Sequence, residues 1–147
     1  MIAKWKHGLV IGRFQPLHKG HLYLITESLK HAKTITIIIG SIDKHDNDNP
    51  YSYDKRRKWV EEKIAELGIK DRVANIYGLA DSPSDEKWFK DITKLVSNFE
   101  VTFGQNEWSN GIFEEKGFPV VRVPFYKRHL YEGQKIRKKL RSLGKLQ

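Results

Sequence analysis

Two histidines, His18 and His21, bracket Lys19-Gly20 inside Gly12-Arg13-Phe14-Gln15-Pro16-Leu17-His18-Lys19-Gly20-His21. The stretch before them, Gly8-Leu9-Val10-Ile11, is apolar, so the segment reads as strand, tight turn, then helix. Three residues apart at a helix start, the two imidazoles share one face. Imidazole N–H groups and the free amides of a first helical turn together suit an anion, above all a phosphate. Arg13 adds a cation at the strand end, where open α/β sheets bind ligands. An isolated histidine reads as a surface residue; a pair in this setting reads as functional. His31, His45 and His129 lack such a pattern and read as surface residues.

The elements that must position these groups alternate. A strand over residues 9–12 leads to a helix over about 19–31, with Leu22, Ile25 and Leu29 on one face. Residues 34–39 are β-branched and apolar, a buried strand, and residues 40–50 are polar and turn-rich, a loop at its end. A helix over 53–67 stops at Gly68. Strands over 72–77, 99–103 and 120–123 follow. Ser84-Asp85-Glu86 caps a helix carrying Trp88, Ile92, Leu95 and Val96, residues 106–116 form a short helix ended by Gly117, and 133–143 form the last. Alternation of this kind predicts a Rossmann-like, doubly wound five-stranded parallel sheet with helices on both faces. The chain, 147 residues long, reads as a single domain, 1–147. Neither Gly-x-Gly-x-x-Gly nor a Walker A sequence occurs.

The pattern Gly-Arg-Phe-Gln-Pro-x-His-x-Gly-His resembles the signature of the His-x-Gly-His nucleotidyltransferases, and within them the archaeal-type nicotinamide mononucleotide (NMN) adenylyltransferases. Other segments follow in the family's order. Asn49-Pro50-Tyr51-Ser52 with Arg56 resembles its Asn-Pro-Phe-Thr segment and arginine. Asp81 and Trp88 have the spacing of its nicotinamide pocket. Tyr131-Glu132-Gly133-Gln134-Lys135-Ile136-Arg137 aligns with its second signature. The sequence departs from the pattern at Glu132 and Gln134, where Ser and Thr are usual, and at Asp85, where Asn is common.

The resemblance implies transfer of AMP from ATP to the phosphate of NMN, giving NAD and pyrophosphate, with Mg2+ accompanying ATP. It implies catalytic roles for His18, His21 and Arg137, and nucleotide binding by Gly12, Arg13, Phe14, Arg56, Gly104, Gly133, Asp81 and Trp88. Trp88 would stack on nicotinamide, Asp81 would accept from the amide or ribose, and Gly104 would let adenine approach the backbone. Residue by residue, simpler readings stand beside these. Trp88 is equally a core residue beside Ile92 and Leu95. Arg56 lies in Lys55-Arg56-Arg57-Lys58, a run that reads equally as a solvated face. Asp81 reads as capping a turn with Ser82-Pro83. The resemblance also implies a homo-oligomer.

Lys and Arg number 27 against 18 Asp and Glu, a formal charge of +9. Most of this reads as a solvated Lys/Glu surface rather than a nucleic-acid interface. There is no cysteine, hence neither disulfide nor thiolate metal site. No apolar run has the length of a membrane span, and Met1-Ile2-Ala3-Lys4-Trp5-Lys6 lacks a secretory pattern, so the cytoplasm is expected. Two further functions compete with NMN adenylylation: a nucleotidyltransferase for another phosphorylated acceptor, and a non-catalytic nucleotide- or nucleic-acid-binding protein.

Overall fold

A computed structural model describes residues 3–124 and 133–142. The order is β1 (Trp5–Gly12), α1 (Lys19–His31), β2 (Ala32–Ile39), α2 (Tyr53–Leu67), a 3-10 turn (Lys70–Arg72), β3 (Val73–Gly78), α3 (Asp85–Leu95), β4 (Val101–Gly104), α4 (Glu107–Glu115), β5 (Val120–Arg122) and α5 (Gly133–Ser142). The five strands form one parallel sheet in the order β3-β2-β1-β4-β5. The order reverses at β1, whose neighbours are β2 and β4, and this topological switch opens a crevice at the strands' C-terminal ends.

Both faces of the sheet are covered, so successive strand residues alternate between two cores. Val10, Ile35, Ile37 and Ile39 pack on Leu24, Ile25 and Leu29 of α1 and on Val60 and Ile64 of α2. Leu9 and Ile38 face the other way, onto Trp88 and Ile92 of α3 and Ile112 and Phe113 of α4. In α1 the buried stripe is Leu24, Ile25, Ser28 and Leu29; Leu22, expected on that stripe, is only half-buried. The helix limits follow local chemistry. Ser52, Ser84 and Asn106 accept amides of the first turns of α2, α3 and α4. Gly68 ends α2 at φ 71° and Gly117 follows α4 at φ 88°, both left-handed positions that favour glycine. No described helix is long and apolar enough to cross a membrane.

β1 starts earlier than its apolar run. Lys6 and His7 break the apolar pattern, but His7 is buried between the hydroxyls of Thr34 and Thr36, each 2.7 Å from a ring nitrogen. The Lys6 N–H donates to the Glu100 carboxylate at 2.7 Å. Thr34 donates its own proton to Lys6 O, so it accepts from His7 Nδ1–H, and Nε2 accepts from Thr36. His7 is therefore the neutral Nδ1–H tautomer, and burial pushes its pKa down against the opposing pull of Glu100. His31, expected at the surface, is half-buried with its ring stacked on Phe103. His129 lies outside the described residues.

Candidate active site

At the C-terminal end of β1 the chain turns through Arg13–Leu17 into α1. His18 is the N-cap of α1. Its Nδ1 accepts the Gly20 N–H at 3.0 Å, and His21 Nδ1 accepts the His18 N–H at 3.2 Å. This is a capping box built from two imidazoles. A backbone N–H only donates, so both Nδ1 atoms are bare and both protons sit on Nε2. The rings lie 3.9 Å apart at 31°, and Phe14 packs on His21 at 4.6 Å. Burial pushes His18 down to about 4. His21 is held well below the ordinary range, first by burial and then by His18 and Arg13. At neutral pH both rings are therefore uncharged Nε2–H donors. The expected free amides of the helix start are in part already used, since Gly20 N–H belongs to His18.

Phe14 is fully buried, with φ 55°. A Cβ on Gly12 would lie 3.1 Å from its ring. Phe14 and Gly12, expected to bind nucleotide, thus shape the turn by packing: the ring is core, and the glycine leaves it room. Arg13 is exposed and donates from Nη1 to Asn49 Oδ1 at 3.0 Å; Asn49 is buried and pinned by Asp46.

Arg56 differs from both readings of its charge run. It is fully buried, with no exposed surface. Nη1 donates to Arg13 O and Gly40 O at 3.0 and 2.8 Å, Nη2 to Ser41 O at 3.2 Å, and Nε to Ser52 O at 3.3 Å. Its guanidinium ties together the loops after β1 and β2, where carbonyls at strand ends lack ladder partners. In this arrangement it holds the walls of the site.

Arg137, a turn into α5, is buried, and Nη1 donates to Gln15 O. The last helix is thereby brought onto the first motif across almost the whole chain. Gly133 is the first residue of α5. Glu132 lies outside the described residues, and the described side chains of α5 begin at Ile136, so Gln134 falls outside them too.

Asp81 does not cap its own turn. It accepts the Ser41 hydroxyl at 2.7 Å, and its N–H donates to Asp43 Oδ1 at 2.9 Å, joining the loops after β2 and β3. Trp88 is buried in the α3/α4 core and packs on Phe113 and, at 4.9 Å, on Trp108. Trp108, near the start of α4, is 51% exposed; it carries the open aromatic face at this edge. Gly104 is needed for packing: a Cβ there would fall 2.2 Å from Asn110 Oδ1. The buried Asn110 amide in turn donates to Gly104 O at 3.4 Å. Beside it a cleft of about 20 Å³ opens at the switch point, lined by Ile11, Gly104, Asn106, Ser109 and the buried Thr102 hydroxyl.

Sequence reasoning missed Gln15, Asn49, Asn110 and Trp108. Gln15 and Asn49 stand inside quoted motifs, which is the one signal that could have drawn attention to them. Among the described residues no cluster of three or more His, Cys, Asp or Glu side chains is placed to hold a metal ion.

A doubly wound parallel sheet with an imidazole-capped helix at its switch point is the framework of a nucleotidyltransferase. The chain matches the cytidylyltransferase-like family over residues 9–138 and belongs to it. It is 33% identical to the nicotinamide-nucleotide adenylyltransferase 1 of Sulfolobus acidocaldarius, covering 86% of this chain and 73% of that protein. Against the nicotinamide-nucleotide adenylyltransferase of Methanolobus tindarius the identity is 32%, over 92% and 77%. Among solved structures it is similar to a bifunctional NMN adenylyltransferase/ADP-ribose pyrophosphatase from Francisella tularensis, with a TM-score of 0.82 and 28% identity. That match covers 93% of this chain but only 42% of the bifunctional one. The same kind of protein has been solved with AMP and Mn ion.

Proposed function

We propose that the protein transfers AMP from ATP to NMN, producing NAD and pyrophosphate. The observation that carries the proposal is the pair of neutral Nε2–H imidazoles capping α1, with Arg137 brought onto the same turn. The names of the relatives give the acceptor.

The chemistry asks little of a base. A phosphate monoester has a second pKa near ~6 and is largely dianionic at neutral pH. The barrier lies in bringing two polyanions into line and in the charge that develops on the α-phosphoryl oxygens and the leaving pyrophosphate. Donors fixed before reaction stabilise that charge at no reorganisation cost. His18 and His21 are such donors. Because they are neutral, they give up hydrogen bonds rather than protons. Arg137 offers a planar fork to the β- and γ-phosphates, and Arg13 a nearby cation. Arg56 and Asn49 hold the walls.

Mg2+ arrives with ATP as part of the substrate and neutralises the triphosphate; the neighbour solved with AMP and Mn ion supports a divalent ion in this role. The acceptor's ring approaches over the exposed face of Trp108. A second reading, transfer to a different phosphate monoester, is favoured by one observation: Trp88, the expected nicotinamide platform, lies beneath Trp108. A single catalytic domain acting as a homo-oligomer in the cytoplasm completes the proposal, on the strength of the resemblance; light scattering of the purified protein checks the mass. Pyrophosphate release with Mg·ATP and a panel of phosphate monoesters tests the function. Release with NMN above all others is expected. Release only with a non-nicotinamide phosphate establishes the second reading, and none with any acceptor rejects both.

A further inference from the structure

We infer that Gln15 is the positioning residue that sets Arg137 against the two imidazoles. The inference deepens the function proposed above and rests on it for the identity of the reaction. Gln15 is 2% exposed and belongs to no catalytic group by its chemistry. Its side-chain amide pairs with one backbone unit of the loop before α2: Nε2–H donates to Tyr51 O at 3.1 Å, and Oε1 accepts the Tyr51 N–H at 3.0 Å. A primary amide satisfied on both sides in this way has one orientation only. The pairing fixes the main chain of Gln15, and it is the main-chain carbonyl of Gln15 that accepts from Arg137 Nη1.

Three segments far apart in sequence therefore meet at one residue: the turn before α1, the loop before α2, and α5. Two neighbouring contacts make other links. Arg13 reaches Asn49 on the rim, and Arg56 reaches Arg13 O from below. Gln15 joins the main chain at Tyr51 to the carbonyl on which Arg137 rests, and the Arg137 charge also acts on the Tyr51 hydroxyl. Catalysis by positioned donors is sensitive to small shifts: an error of about 1 Å can cost on the order of a hundredfold. Loosening Gln15 moves the Arg137 fork relative to His18 and His21 while removing no group that touches phosphate.

Gln15→Met keeps nearly the same side-chain length and removes both hydrogen bonds. Gln15→Glu keeps the oxygen that accepts from Tyr51 and loses the donor. Steady-state rates with Mg·ATP and NMN, ATP titrations and thermal melts of the folded variants form the test. A positioning role predicts that Gln15→Met lowers kcat about ten- to a hundredfold with a much smaller rise in either KM, that Gln15→Glu falls between it and wild type, and that Gln15→Met adds little to the loss in an Arg137→Lys background. Unchanged kcat in folded Gln15→Met overturns the inference, as do losses that multiply in full with Arg137→Lys. If Gln15→Met does not fold, Gln15→Glu decides, and wild-type kcat in that variant overturns it. A wild type inactive on NMN defeats the functional proposal instead. ATP affinity then tests Gln15 alone: severalfold weaker binding by Gln15→Met upholds the inference, and unchanged binding overturns it.

Discussion

His18 has two tasks, and they can be separated. Its Nδ1 caps α1, and in the proposed function its Nε2–H is offered to phosphate. His18→Ala removes both and should cut turnover on the order of a hundredfold, as when a transition-state donor is lost, with a stability loss of about 1 kcal/mol from the missing cap. His18→Asn, a good N-cap, should recover the stability but not the turnover. Recovery of both would show that the cap alone matters. The two tryptophans separate in a similar way. Trp88 is core, so Trp88→Ala should cost about 3 kcal/mol in a denaturant melt. Trp108 is half-exposed, so Trp108→Ala should leave stability near wild type and raise the KM for the acceptor severalfold. An unaltered KM would place the acceptor ring elsewhere.

At the scale of elements, the site is held by loop-to-loop ties more than by the helices themselves. Arg56 on α2 clasps the ends of β1 and β2 through carbonyls, without any carboxylate partner among its hydrogen bonds. Truncating it takes the guanidinium from the Arg13 and Gly40 carbonyls and leaves a cavity. Arg56→Ala should therefore destabilise the fold by about 3 kcal/mol or more. A soluble, stable Arg56→Ala protein that has lost only ATP affinity would instead assign Arg56 to the ligand. The β4–α4 junction makes a second check. Gly104→Ala drives a methyl into Asn110 and should cost about 2 kcal/mol; Asn110→Gly in the same chain should recover part of it. No recovery would mean that the glycine serves something other than Asn110. Arg122 ties β5 to α4 through Glu107 and Glu114, but these groups are exposed, and exposed pairs contribute little.

At the scale of the whole molecule, three imidazoles among the described residues are held neutral: His7 near the N-terminal end of β1, and His18 and His21 beyond its C-terminal end. Each has a folded pKa below that of the unfolded chain, near ~6.5. The unfolded state thus binds more protons on acidification, and stability falls as pH drops. It should be level between pH 8 and about 7, then decline from about 6.5 towards 4, the value of His18. Thermal melts across this range check the sign: a melting temperature that rises on acidification would mean that the imidazoles are charged in the folded state. Arg137 supplies the other global test. It links α5 to the first motif, so ATP binding should depend strongly on it, and Arg137→Ala that binds ATP as well as wild type would remove α5 from the phosphate site.

The alternation of apolar strands and capped helices was legible because it is local. β-branched residues at 34–39, Gly68 and Ser84 act on their own neighbours: β2 holds those residues, α2 ends at Gly68, and α3 begins after Ser84. His18 and His21 were legible because both lie in one turn of chain. What each site residue does was decided only by packing. Arg56 looked solvated or phosphate-binding and is sealed among carbonyls; Trp88 looked like a platform and lies under Trp108; Gly104 answers to Asn110. Each of these depends on a partner that the sheet brings near and the sequence keeps far. Local propensity and periodicity thus determined the elements and their polar ends. The protonated nitrogen of each imidazole, the burial of a charge, and the meeting of Arg137 with Gln15 across the chain come from desolvation and distance, and these exist only once the strands are ordered.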